Sequence, residues 1–264
     1  MVNEATVEGR RIAFWGNDDG FSPQRQTLVF IHGSGGAYED WNQQILALKN
    51  NFNIAALDLP GHGRSAGPGE QEVFAYVAFV EKFIKTAGIV KPVLIGHSLG
   101  AAICLGFAIK KGDEAAAIVP VGGGVTMPVN PLILDGLKND PPATIATIAK
   151  FSVAKANREK FAAPLADSLS RANRETIHGD FTACSRLDIT AAITGIRVPT
   201  LVICGAEDKM TPPAMSEYLR DNIPGAVLAL IPEAGHFAML ENPDKFNITL
   251  TDFVNSLPQR AGKP

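Results

Sequence analysis

The residues Gly96-His97-Ser98-Leu99-Gly100 set one hydroxyl between two glycines, after the aliphatic run Val93-Leu94-Ile95 and before a second apolar run. This is G-x-S-x-G between a strand and a helix, the setting of a nucleophile elbow. A turn that tight needs small residues on both sides of the serine. It lifts the hydroxyl out of the sheet and aims the N-terminus of the next helix at the reaction. The free N–H of Leu99 at that helix end favours a developing negative charge. A serine that merely caps a helix is the plainer alternative, but the flanking strand and helix favour a nucleophile.

A serine alone attacks poorly near neutral pH, so a base and an orienting acid are required. Of the five histidines, His97 leaves the same sharp turn in another direction and is not placed to reach back. His32 and His62 lie in glycine-rich turns and suit structural hydrogen bonding. His178 falls in a helical stretch and reads as exposed or packed. His236 follows the last strand in "PEAGHFAMLENP", a loop at the carboxyl end of the sheet, and is the expected base. For the acid, the strand ending "PVGGG" has no carboxylate at its tip, and Asp135 lies well beyond it. Asp58 in "ALDLPGHG" reads as holding its own turn. Glu207 and Asp208 follow the strand "PTLVICG" directly; neighbouring side chains diverge, so one of them faces the histidine, and Asp208 is the choice. Charge on a carbonyl oxygen needs at least two donors. The loop His32-Gly33-Ser34-Gly35-Gly36 follows a strand expected to flank the serine strand, which makes the Ser34 N–H the partner to that of Leu99. A phosphate-binding reading of this loop fails for want of G-x-G-x-x-G or a P-loop lysine.

The elements that must hold these groups alternate through the first half of the chain. "RIAFW", "TLVFI", "FNIAALDL", "PVLIG" and "AAAIVPVGG" read as strands. Tyr38, Trp41, Ile45 and Leu48, then Val73, Val77, Val80 and Ile84, fall at helical spacing, and Leu99 to Lys111 is an apolar helix ending in cations. From about Val125 to about Arg197 the reading is helical, broken by Pro128, Pro131, Pro141-Pro142 and Pro164, with no convincing strand. "PTLVICG" and "AVLALIP" resume the sheet, and Asp244 to Leu257 forms a closing helix. Alternation of this kind implies a mostly parallel, doubly wound sheet with helices on both faces, and ligands bound beyond the carboxyl ends of its strands.

The chain has 264 residues, of which 46% are hydrophobic and 19% charged, enough for a large core and too few charges for disorder. A net charge of −3 gives no broad basic footprint for nucleic acid. Cys104, Cys184 and Cys204 are odd in number with no CxxC pair, which suits free thiols in a reducing cytosol. The histidines are scattered and the cysteines lack ligand spacing, so no metal or cofactor is expected. "MVNEATVEGRR" has no signal-peptide apolar region, and no apolar run reaches the ~18 residues of a membrane span. A soluble, cytoplasmic protein is expected.

Taken together, "HGSGG", "DLPGHGRS", "GHSLG", "PTLVICGAEDKMTP" and "AGHFAMLENPDKF" resemble the α/β-hydrolase superfamily over nearly the whole chain, with serine, aspartate and histidine in that family's order. The resemblance implies an α/β-hydrolase core over residues 1–124 and 198–264 and a helical cap over 125–197. It implies Ser98 as nucleophile, Asp208 as acid, His236 as base, and the backbone N–H groups of Ser34 and Leu99 as oxyanion hole. Serine at position 98 disfavours the aspartate-nucleophile dehalogenases and epoxide hydrolases. The expected substrate is a small to medium carboxylic ester or lactone. Thioester cleavage and carbon–carbon bond hydrolysis with the same triad are the alternatives, and a non-catalytic small-molecule receptor on the same fold is the reading from another class. Lys150, Lys155, Arg158, Lys160, Arg171 and Arg174 read chiefly as a solvated helix face, with a contact to a carboxylate or to coenzyme A phosphates as the sharper option. Acyl length and oligomeric state are not legible.

Overall fold

Five short aliphatic strands, buried at every position, form the middle of the sheet in this computed structural model, which describes residues 1–258. They are β3 (Thr27–Ile31), β4 (Asn53–Leu57), β5 (Val93–His97), β6 (Ala117–Val121) and β7 (Leu201–Gly205), flanked by β1 (Val2–Val7), β2 (Arg10–Gly16) and β8 (Val227–Ile231). The spatial order is β1-β2-β4-β3-β5-β6-β7-β8. Only β2 is reversed, antiparallel to its neighbours β1 and β4, and the strands from β4 to β8 run parallel, with β5 between β3 and β6. Runs this apolar need cover on both faces, which the helices supply.

The helices are α1 (Asn42–Leu48), α2 (Val73–Thr86), α3 (Leu99–Lys111), α4 (Pro131–Asn139), α5 (Pro141–Ser152), α6 (Arg158–Leu169), α7 (Arg174–Ser185), α8 (Pro213–Asn222), α9 (Ala238–Glu241) and α10 (Pro243–Ser256). Strand alternation divides the core between two faces. Val29 and Ile31 of β3 pack with Val77 and Phe83 of α2 and Ile103 of α3. Leu28 and Phe30 pack on the other side with Trp41 and with Phe246 of α10.

Four helices, α4 to α7, fill the connection between β6 and β7. The prolines that punctuate this stretch mostly begin helices rather than break them: Pro131 and Pro141 stand at first helical positions behind Asn130 and Asp140, whose side chains cap the next turn. Pro164 is the exception, inside α6. Ile145, Ile148, Leu165 and Leu169 are buried, and they join the same apolar cluster as β5 and β6 rather than one of their own.

Three elements escaped the sequence reading, the shortest being the single-turn α9 (Ala238–Glu241). β1 is an edge strand with only Val7 buried, so "VNEATV" lacks an apolar face to read. In α8 only Ser216 and Leu219 are buried, which leaves no apolar stripe at helical spacing.

Candidate active site

The site begins with backbone strain at Ser98, held at φ 53° and ψ −111° between β5 and α3. A side chain with two heavy branches would not tolerate this region, and a non-glycine residue stays there only where its surroundings fix it. Here the Ser98 N–H donates to the Val121 carbonyl of β6 at 2.9 Å, and the Ser98 carbonyl accepts from Ala101 and Ala102. The turn leaves no room on either side. A Cβ at Gly100 would run into the Ile31 carbonyl, and one at Gly96 into the carbonyl of Gly100. Leu99 is the first residue of α3, so its N–H has no preceding helical turn to bond.

His236 lies in the loop after β8 and is 5% exposed. Its N–H donates to the Ser152 carbonyl at the end of α5, at 2.7 Å. Its Nδ1 lies 2.8 Å from Oδ2 of Asp208, in the loop after β7. That bond leaves Nε2 for the cavity. The Asp208 carboxylate also accepts from the N–H groups of Met210 and Thr211, at 2.8 and 2.9 Å, and from the Thr211 hydroxyl at 2.9 Å. Burial alone would raise this carboxyl, but His236 and the Thr211 donors outweigh it and hold Asp208 below the usual carboxylate range. Glu207, beside it, is exposed and touches His236 nowhere in the hydrogen-bond network of the described residues.

Ser98, His236 and Ser34 line one cavity of about 300 Å³. Its other walls come largely from the β6–β7 connection: Met127, Val129, Ile133, Ile148, Phe151 and Phe181. A concave, mostly apolar space with a few polar groups is the usual form of a small-molecule site. Met210 also lines it, whereas Met239 is buried in the core, as are the ring of Trp41 and part of Trp15.

The remaining histidines do not line the cavity. His32 accepts the Leu59 N–H on Nε2 at 3.0 Å and places Nδ1 2.7 Å from the Gly33 carbonyl, an arrangement for the neutral ring; burial first, then His62, keeps its pKa well below the ordinary value. His97 points away from the cavity, with Nε2 3.0 Å from the His236 carbonyl. His62 bonds Asp180 of α7. His178 is half-buried on α7 and does not line the cavity. Asp58 holds its turn by accepting the Tyr38 and Arg64 N–H groups, and Asp135 is exposed on α4. Of the basic residues in this connection none lines the cavity, and Arg158 lies over the Phe151 ring at 5.6 Å. The three cysteines are free and buried. Among the described residues no group of three His, Cys, Asp or Glu side chains is placed to hold a metal ion, and no helix is long and apolar enough to cross a membrane. Sequence reasoning missed Thr211 and Asp180; the first sits three residues beyond Asp208, where a threonine is unremarkable.

A sequence model of the alpha/beta hydrolase family matches residues 28–248. The chain belongs to that family. Its relatives include Protein ABHD8 of Bos taurus, 27% identical over 252 residues that cover 89% of this chain and 57% of that protein. This member of the family thus spans little more than half of that relative. The putative carbamate hydrolase RutD of Klebsiella pneumoniae (strain 342) is 26% identical over 244 residues, covering 87% of this chain and 91% of its own. Among solved structures, a thermophilic esterase is 30% identical with a TM-score of 0.84, covering 97% of each chain. The enol-lactonase from Burkholderia xenovorans LB400 has the same fold, with a TM-score of 0.89 over 96% of this chain and 100% of that one at 21% identity.

Proposed function

We propose that this protein is a serine hydrolase that cleaves a small to medium carboxylic ester or lactone through an acyl-enzyme. The observation that carries the reading is the shared cavity of Ser98 and His236, with His236 bonded through Nδ1 to a buried Asp208. Asp208 keeps the proton of the neutral imidazole on Nδ1, so Nε2 is the lone pair that takes the Ser98 proton. Ser98 Oγ attacks the carbonyl carbon, and the N–H groups of Leu99 and Ser34 receive the charge on the oxygen. His236 then returns the proton to the leaving alcohol, and water enters by the same route to release the acid. The segment 125–197 acts as a cap, because its helices supply most of the apolar wall. The names of the relatives, esterase, enol-lactonase and putative carbamate hydrolase, support hydrolysis at a carbonyl carbon. Three buried free thiols fit a reducing compartment.

The test is a hydrolysis screen over p-nitrophenyl esters, lactones, carbamates, acyl-CoA thioesters and a ring-fission diketone, with Ser98→Ala run beside the wild type. The expected result is turnover of an ester or lactone that falls by roughly three orders of magnitude or more in Ser98→Ala. Turnover of the thioester or diketone alone moves the reading to those bonds. No turnover of any substrate by the wild type leaves the receptor reading in its place.

A further inference from the structure

Asp180 is fully buried on α7, far in sequence from everything it touches. Its Oδ2 accepts the Gly35 N–H at 2.9 Å and lies 2.8 Å from Nε2 of His62; its Oδ1 accepts the Tyr76 hydroxyl at 2.6 Å. The other nitrogen of His62 lies 3.0 Å from the Pro60 carbonyl. Both His62 nitrogens therefore face groups that only accept. A neutral imidazole can donate once, so beside an ionised Asp180 the doubly protonated ring satisfies both contacts and the two form a buried ion pair. Burial alone would lower the His62 pKa, and the Asp180 carboxylate more than reverses that and holds it above the ordinary histidine value. Tyr76 is fixed in turn by accepting the Glu70 N–H at 2.9 Å.

Structural need accounts for the pairing, since a buried carboxylate without donors is costly. It does not account for what the carboxylate holds. Gly35 belongs to the turn from Gly33 to Gly36, closed by the Gly36 N–H on the Gly33 carbonyl at 3.1 Å, and it takes φ +66°. Ser34 is its neighbour in that turn. Two more side chains of α7 meet the same turn. Ile177 packs so closely that a Cβ at Gly35 would stand 2.7 Å from its Cδ1, and the Cys184 sulfur lies 3.9 Å from the Ser34 hydroxyl. Ile177, Asp180 and Cys184 recur at helical spacing, so one face of α7 backs the turn.

We propose that Asp180 is a positioning residue for the oxyanion hole: held by His62 and Tyr76, it fixes the Gly33–Gly36 turn through the Gly35 N–H and so sets where the Ser34 N–H points. This rests on the reading of Ser98 as nucleophile and Ser34 as oxyanion donor. It makes the segment between β6 and β7 part of the catalytic geometry as well as the pocket wall. A donor that must meet a transient charge loses its worth when displaced by about an ångström, while ground-state binding changes little.

The experiment compares Asp180→Ala, Asp180→Asn and Tyr76→Phe with the wild type on p-nitrophenyl acetate and butyrate. Affinity for an aliphatic trifluoromethyl ketone is measured in parallel. Ser98 Oγ adds to that ketone's carbonyl carbon, the serine proton passes to His236, and the carbonyl oxygen becomes the oxyanion. Asp180→Ala should lower kcat by roughly 10- to 100-fold with KM nearly unchanged, and weaken the ketone in parallel. Asp180→Asn keeps an acceptor for Gly35 and should recover kcat to within about threefold of wild type, though less stable. Tyr76→Phe removes one of the two groups that hold Asp180 and should lower kcat less than Asp180→Ala does, again with KM nearly unchanged. A folded Asp180→Ala with kcat within about twofold of wild type, or an Asn variant that falls as far as Ala, reduces Asp180 to a structural ion-pair partner. If the alanine variant does not fold, Ile177→Ala replaces it; unchanged kcat there overturns the proposal, and reduced kcat at unchanged KM supports it. Ser98→Ala separates the two levels. Activity retained in that variant removes the nucleophile reading, whereas its loss beside an unimpaired Asp180→Ala removes this inference alone.

Discussion

The ring of His97 lies 4.6 Å from the ring of His236, and its Nε2 donates to the His236 carbonyl at 3.0 Å. The residue next to the serine therefore braces the histidine after β8 from beneath. With the proton on Nε2, the buried Nδ1 is left as a lone pair with no partner. That fits a ring kept neutral first by burial and then by His236, with its pKa well below the ordinary value.

His97→Phe keeps a ring of similar shape and removes the donor. Leaving the His236 carbonyl short of a partner should destabilise the fold by about 1–3 kcal/mol. The expected result is a lower urea midpoint together with a reduced kcat, because His236 loses one of its anchors. An unchanged kcat in a measurably destabilised variant would confine His97 to stability.

Asp208 and Glu207 make a sharper contrast. Asp208 accepts from His236, Met210 and Thr211, whereas Glu207 is exposed. Asp208→Asn should lower kcat by about 10⁴-fold through the wrong imidazole tautomer, and Glu207→Gln should be nearly silent. Thr211→Val removes the hydroxyl shared between Asp208 Oδ2 and His236 Nδ1, at 2.9 and 3.1 Å, and should lie between them. Steady-state kinetics on one ester decides the order; an Asp208→Asn enzyme near wild type would end its assignment as the acid.

The strand-to-helix turn at Ser98 and the loops that carry His236 and Asp208 were legible because each follows a local pattern. Ser98 stands between two glycines that the turn demands, and His236 and Asp208 follow strands whose aliphatic runs announce them. Asp180 was not legible. In "HGDFTA" it reads as an ordinary helix residue, and its partners His62 and Tyr76 are 118 and 104 residues away. Only the folding of α7 over the two loops tells a buried aspartate from a solvated one. β1 was missed for the converse reason: its pairing with β2 is set by the backbone ladder, while its half-exposed side chains carry little pattern.

The Asp180–His62 pair predicts a pH dependence of stability. The folded-state pKa of His62 lies above its unfolded value, so the contribution is full below about pH 6.5 and is lost as the pH rises through the folded value. Around this ring stand the Asp180 carboxylate, the Asp58 carboxylate and the neutral ring of His32 at 4.7 Å. His62→Gln retains a donor for Asp180 and cannot titrate. The gap in urea midpoint between wild type and His62→Gln should be widest near about pH 6 and shrink toward about pH 9. A gap that widens with pH would mean the pair is neutral in the folded protein.

The last prediction concerns what chooses the substrate. The cavity wall formed by Ile133, Ile148, Phe151 and Phe181 comes from α4, α5 and α7, whereas Ser98 and His236 come from the loops at the tips of β5 and β8. On the proposed reading the attacking and proton-transferring groups sit on other segments than most of the apolar wall, so acyl preference should change while Ser98 stays reactive. The segment between β6 and β7 cannot simply be excised to show this, because Ile145, Ile148, Leu165 and Leu169 belong to the same apolar core as the sheet. Point changes avoid that problem. Phe181 lines the cavity and packs against the core while only partly buried, so Phe181→Ala should enlarge the cavity at less cost in packing than a change at the buried Ile148. Each methylene newly buried is worth about 0.8 kcal/mol, or roughly fourfold in kcat/KM. The preferred chain length in a p-nitrophenyl ester series should therefore move up by one or two carbons in roughly that proportion. Labelling of Ser98 by a small organophosphonate should stay near the wild-type rate, since the reacting groups are untouched. The same chain-length profile in Phe181→Ala, Ile148→Ala and wild type would place selection in the loops that carry Ser34 and His236 instead.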